Sequence, residues 1–162
     1  MNDAQLFAEK VFADANALMD KVDKSVEFRA KQTQTKEWCY GYFAPAVFIN
    51  EHNMISHISP AIITLDLEEF HFQPVDPETV GRFTGLTDYS GRKIFEADVV
   101  KIQIGNIIKY GVVFYSETAA RIGIKDSTGE ANFSFMQQPL IKQYQIIVIG
   151  NIFDSPELLK GE

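Results

Sequence analysis

The period of the apolar positions changes at Ser25. Before it, Ala4, Ala8, Val11, Ala15, Leu18 and Val22 recur at steps of three and four, flanked by Phe7, Phe12 and Met19. Glu9, Lys10, Asp14, Asp20 and Lys21 fall largely off that stripe. This spacing predicts one amphipathic helix over residues 2–24, about 30 Å long, which Asn2 or Asp3 can cap. The stripe is too short for a coiled coil. Its polar face is acidic rather than basic, which argues against a membrane-surface helix. It is left to pack on its own domain or on another subunit, and in the second case Phe7, Val11, Leu18 and Val22 are the expected oligomer contacts.

Beyond Ser25 the period falls to two. Val26, Phe28 and Ala30 alternate with Glu27 and Arg29, and residues 36–43 run strand-like through Trp38, Tyr40 and Tyr42. With the polar loop 31–35 between them, they predict a β-hairpin. Pro45 and Pro60 punctuate residues 44–74, where short apolar runs at 47–49 and 62–65 flank a turn at Asn50, Glu51, His52 and Asn53. Phe70 and Phe72 alternate with Glu69, His71 and Gln73 as a further strand.

Asp76, Pro77, Glu78 and Thr79 supply an N-cap acid, a proline at the first helical position and an acid in the first turn. One helical turn is expected there, stopped by Gly81. Asp88, Tyr89, Ser90 and Gly91 predict a turn with Gly91 at positive φ. Strands are expected at 94–95, 99–104, 107–115, 121–125, 131–136 and 144–149, with a turn at 126–129. Ser155, Pro156 and Glu157 repeat the cap, proline and acid pattern and start a last helical turn through Leu159. Short strands at this spacing predict a mainly β fold, α+β when the helix is counted: an antiparallel barrel or sandwich. The division falls near Asp23 and Lys24, with a helix over 1–24 and a β domain over 25–162.

Composition narrows the function more than the fold. A formal charge of -7 repels phosphate backbones at long range, and no Lys/Arg cluster offsets it. Cys39 is the only cysteine, so no intrachain disulfide can form, which fits a reducing cytoplasm. Asp3 and Glu9 interrupt any N-terminal apolar run, and no run is long enough to cross a membrane. Neither a secretion signal nor a membrane partner is expected.

Candidate chemistry is thin. His52, His57 and His71 lack tight zinc spacing, and no metal or cofactor is expected. Cys39 lies between Trp38 and Tyr40 in an alternating run, the setting of an inert half-buried thiol. Glu68, Glu69, Asp76 and Glu78 cluster around Pro74 but match no cation loop; capping and solvated faces account for them. Gly81, Gly85 and Gly91 open no helix after a strand and precede no Gly-Lys-Ser/Thr, so they read as turn glycines rather than a phosphate loop. No catalytic constellation emerges, and the chain is not expected to be an enzyme.

Four strings, in order, resemble the YopX family of phage and prophage proteins. They are Glu27-Phe28-Arg29-Ala30 with Trp38-Cys39-Tyr40-Gly41-Tyr42; Val75 to Gly81; Phe83 to Asp88 with Gly91 to Val100; and Ile149 to Leu159. Asp76, Pro77, Gly81, Gly85, Gly91, Asp98, Gly150, Asn151 and Pro156 are the turn-forming members of this signature. The resemblance implies a small antiparallel β-barrel over residues 26–159, a phage or prophage origin and a bacterial cytoplasm, but no reaction. Family members usually begin near the Phe-Arg-Ala string, so the helix at 2–24 is an addition. They commonly have glycine where Ala97 stands, so this turn is expected to tolerate alanine or to have shifted. The run 96–101 followed by Gly111 to Phe114 also looks like SH3-like barrels, many of which bind nucleic acid or peptides. On such a barrel Phe114, Tyr115 and Arg121 would form a stacking surface for nucleic acid. The favoured expectation is a non-enzymatic accessory protein that self-associates or contacts a phage or host protein, with nucleic-acid binding as the alternative.

Overall fold

A computed structural model describes residues 27–49, 52, 55–66, 69–129, 131–133 and 137–160. The expected helix at 2–24, with Phe7, Val11, Leu18 and Val22, lies outside the described residues. Eleven strands are described: β1 (Phe28–Lys31), β2 (Trp38–Ile49), β3 (Ile55–Asp66), β4 (Glu69–Pro74), β5 (Gly81–Thr87), β6 (Lys93–Phe95), β7 (Asp98–Ile104), β8 (Ile107–Ser116), β9 (Arg121–Lys125), β10 (Ala131–Phe133) and β11 (Ile147–Asn151). One helix, α1 (Gln138–Gln143), and two 3-10 turns, Pro77–Thr79 and Pro156–Lys160, complete the described chain.

All ladders among the described residues are antiparallel. They form a six-stranded sheet in the order β4-β3-β2-β1-β5-β6 and a five-stranded sheet in the order β10-β9-β8-β7-β11. Neither closes into the expected barrel among the described residues. The first sheet does curl. Thr33 donates its N–H to Pro74 O and Asp76 donates to Lys31 O, at 3.0 and 2.9 Å. A single bridge between Gln32 and Val75 thus ties the end of β1 to the end of β4. One bridge is too little to make a closed ladder, but it encloses the buried cluster of Ala30, Cys39, Ile62 and Val75. The larger core belongs to the second sheet, where Val100, Ile102, Val113, Ile124 and Val148 pack with Ile94, Ile141 and Ile146.

The prolines do not interrupt the chain as expected. β2 continues through Pro45 and β3 through Pro60, and the two prolines face one another in the ladder. Antiparallel strands alternate hydrogen-bonded and open pairs, and an open pair needs no inward N–H. Pro45 lies past the last β2 residue paired with β1, Gly41, so no strand among the described residues asks for its N–H either. Pro60 still accepts from Val75 N at 3.1 Å.

Other expectations shift by a residue or two. Asp76 caps its 3-10 turn by accepting from Glu78 N at 3.1 Å, but the turn ends at Val80, and Gly81 starts β5. Tyr144 and Gln145, expected in a strand, form the turn after α1, and β11 starts at Ile147. Helix α1 was not foreseen because its apolar content is slight. Its anchor is Gln138, whose amide donates to Thr87 O at 2.8 Å and accepts from Thr87 N at 3.2 Å, as a paired strand would.

Candidate interaction surface

The chain crosses from the first sheet to the second through Glu96 and Ala97, and a buried polar joint holds that crossing. Arg29 sits on β1 and Asp98 begins β7; their side chains are 4% and 1% exposed. Arg29 Nη1 stands 2.6 Å from Asp98 Oδ1, off the line of a good hydrogen bond, so the contact is an ion pair. Arg29 Nη2 donates to Glu96 O at 3.1 Å, while its Nε has no partner. Asp98 Oδ2 accepts from Phe95 N at 2.8 Å. The guanidinium is held between rings, 4.8 Å from the Trp38 centroid and 5.0 Å from that of Phe95. Burial pushes the Asp98 carboxyl up, and the neighbouring Arg29 charge only partly offsets it.

Trp38 extends the joint to the C-terminal segment. Its indole N–H donates to Asp154 Oδ2 at 2.7 Å, and Lys31 pairs with Asp154 Oδ1. Asn151 donates to Asp154 Oδ2 at 2.8 Å and accepts from the backbone of Phe153 and Asp154. The Lys31 and Asn151 contacts, with that of Trp38, hold the Asp154 carboxyl down to about 2. A second tie runs through Asp88, which is buried. Its Oδ1 accepts from Ser90 N, Ser90 Oγ and Arg92 N, and its Oδ2 reaches across to Val148 N at 3.0 Å. Burial pushes this carboxyl up, but the hydrogen bonds from Ser90, Val148 and Arg92 outweigh that and leave it below the ordinary range.

The signature residues therefore meet as a structural joint, with Arg29, Trp38, Asp98, Asn151 and Asp154 drawn from strings far apart in the chain. Gly91 has φ of 93° and Gly85 of 77°, as turn glycines. Gly150 lies so close to Leu158 that an added Cβ would meet its Cδ1 at 2.5 Å. Ala97 has φ of 66°, so its turn has not shifted to suit alanine. The Cys39 thiol is buried, donates to Ala30 O at 3.3 Å, and is pushed up by burial. Among the described residues, no group of three His, Cys, Asp or Glu side chains is placed to hold a metal.

The three residues of the nucleic-acid alternative do not share a face. Phe114 and Tyr115 are adjacent on β8 and point to opposite sides of the sheet. Each already carries a cation: Lys125 lies 5.6 Å from the Phe114 ring, and Arg82 lies 4.1 Å from that of Tyr115. Arg121 is exposed at the start of β9, opposite Ser116 and on the side of Phe114. A groove of about 730 Å³ runs beside Phe114 and Lys125 to Ile152 and Leu159.

The exposed feature that the joint carries is an arm. β1 pairs only with Trp38 to Gly41 of β2, and β4 only with Ala61 to Asp66 of β3. Beyond those limits the two long strands pair, among the described residues, only with each other, up to Ile49 opposite Ile55. From Trp38 to Leu65 the sequence holds a single Asp, Glu, Lys or Arg, namely Glu51. Val47 and Ile58 are cross-strand partners on one face, 55% and 65% exposed, with Phe43 two pairs nearer the root. On the opposite face the rings of Phe48 and His57 stack at 4.8 Å. Sequence reasoning missed this surface because the prolines suggested breaks; the missing signal was the long gap between charges.

The sequence profile of the family described as YopX protein matches residues 27–160. The crystal structure of protein EF1440 from Enterococcus faecalis is similar at 21% identity and a TM-score of 0.49, with 83% of this chain and 97% of that chain covered. No curated protein matches the chain.

Proposed function

The chain belongs to the YopX family, and on that premise we propose that it works through protein–protein contacts, as a self-associating accessory protein of a phage or prophage in the bacterial cytoplasm, and not as an enzyme. The observation that carries this reading is the β2–β3 arm. A two-stranded ribbon is marginal in water by itself. This one bears almost no charge and turns Val47 and Ile58 to solvent at its distal end. Isolated exposed apolar residues are ordinary, but a cross-strand pair on a projecting ribbon offers a contact surface.

Light scattering on the full chain after gel filtration tests the proposal. A mass above that of one chain at tens of micromolar supports it, and a strictly monomeric mass overturns it. The double substitution Val47→Asp with Ile58→Asp is expected to shift the mass toward one chain. Far-ultraviolet circular dichroism should stay unchanged, because both side chains are more than half exposed.

A further inference from the structure

We infer that β1 to β4, with the Pro77–Thr79 turn, open as one cooperative unit while β5 to β11 stay folded, and that the Arg29 joint is the latch between them. Ladder and core divide the chain at different places. By hydrogen bonding, β5 and β6 belong to the first sheet. By packing they belong to the second: Ile94 of β6 is buried with Val100, Val113 and Ile146, and Leu86 of β5 packs against that cluster. Asp88 holds Val148 N, Tyr89 donates its N–H to Ile146 O at 2.8 Å, and Gln138 of α1 holds Thr87. The segment before β5 goes the other way. Val75 lies in the smaller cluster, against which Val80 packs, and Thr79 Oγ1 accepts from Lys31 N at 2.9 Å. The two buried clusters share no residue. The described chain passes between the units once, from Val80 to Gly81.

The joint between them is thin in backbone and rich in charge. Among the described residues β1 meets β5 through two pairs, Phe28 with Arg82 and Arg29 with Gly81. Arg29 reaches Asp98 and Glu96 O, Trp38 and Lys31 reach Asp154, and Lys93 pairs with Glu27. The apolar share is aromatic: Tyr40 stands edge-on to Phe95 at 5.6 Å, and the Trp38 and Phe153 rings are 6.0 Å apart. Polar junctions of this kind permit separate motion, which a shared apolar core would forbid. The latch is also incompletely satisfied. Arg29 Nε and Asp98 Oδ1 are buried without a hydrogen bond, and water would supply one to each on opening. The smaller cluster of Ala30, Cys39, Ile62 and Val75 removes little apolar area from water, so the first unit depends on the joint to stay folded. Its opening bares Phe95, now 3% exposed, and the edge of β5 that faced β1. The latch thus gates an aromatic face beside a free strand edge, the kind of edge that another strand can join.

Trp38 is the only tryptophan and sits on the latch, so its fluorescence reads the joint. Pulse hydrogen exchange across a urea series, read by mass spectrometry on the full chain, locates the protected strands at each step. The Trp38 signal and the protection of β1 to β4 should be lost together, at lower urea than the protection of β7, β8 and β11. Arg29→Met should shift that first loss to still lower urea and leave the second in place. Lys31→Met carries the same comparison should Arg29→Met fail to fold by circular dichroism. Coincident losses that the substitution moves together would make the chain one cooperative unit and overturn the inference. Loss of protection in β2 and β3 with the Trp38 signal unchanged would also overturn it, as fraying of the arm alone, and so would earlier loss in β7 and β8.

Discussion

Ala97 and Gly91 share the left-handed region of backbone space at very different cost. Glycine pays no Cβ penalty there, whereas an L-residue pays on the order of 1–2 kcal/mol. Ala97 is held in place by donating to Val113 O and accepting from Ile152 N at 2.9 and 3.0 Å, so it cannot relax alone. Ala97→Gly is expected to stabilise the fold by about 1 kcal/mol in urea unfolding, after the entropy of the freer unfolded chain is subtracted. An unchanged or lower midpoint would refute the strain. Gly91 has nothing within 4 Å of an added Cβ, so Gly91→Val should cost on the order of 1 kcal/mol through the backbone alone. Gly91 was legible in the sequence because Asp-x-x-Gly is a local turn signal. The strain at Ala97 was not, since residues 113 and 152 create it.

Asp154 sets a pH dependence at the same scale. Its folded value of about 2 lies below its ordinary value of 3.8. The resulting stabilisation is present above roughly pH 4 and is lost as the pH falls through about 2. Asp88, also lowered, acts in the same direction, while the raised Asp98 favours the fold at low pH and loses that contribution as the pH rises through its folded value. Asp154→Asn should therefore flatten the acid limb of the stability profile between pH 4 and 2. An unaltered limb would show that its contacts with Lys31, Trp38 and Asn151 carry no weight in solution.

At the scale of elements, the joint between the sheets depends on pairing two buried charges. Removing one partner strands the other, at a cost of about 3–5 kcal/mol. Asp98→Asn is expected to fall in that range by urea unfolding. Arg29→Met combined with Asp98→Leu should cost less than the sum of the single changes, because the pair leaves together; full additivity would mean that the ion pair contributes nothing of its own. The β1–β2 hairpin, β4 and the strands from β6 to β9 were readable from period-two alternation and turn residues. The joint was not, although the motif strings containing it were visible. Alternation assigns Arg29 to a face of β1 but says nothing of the residue 69 positions later that meets it. Pro45 and Pro60 misled for a related reason: a proline breaks a strand only where a neighbour needs its N–H, and that depends on register.

At the scale of the whole molecule, the proposed self-association is checked through the β2–β3 arm. Aspartate at both Val47 and Ile58, each more than half exposed, should shift the mass measured by light scattering toward one chain, and an unchanged oligomer would take the contact away from this face.

What the sequence determined by itself is local: the change of period at Ser25, the turns at Asp76–Thr79 and Asp88–Gly91, the mainly antiparallel β class and the family strings. Each depends on side-chain alternation or on backbone preferences that neighbours in the chain impose. Tertiary structure alone decided that the first sheet curls without closing among the described residues, that Arg29 and Asp98 meet under Trp38, and that β2 and β3 run past their described neighbours as strands free of charged side chains. Those outcomes depend on which strand ends face one another and which side chains share a buried volume. Such relations are set by long-range packing free energy, which no window along the chain contains.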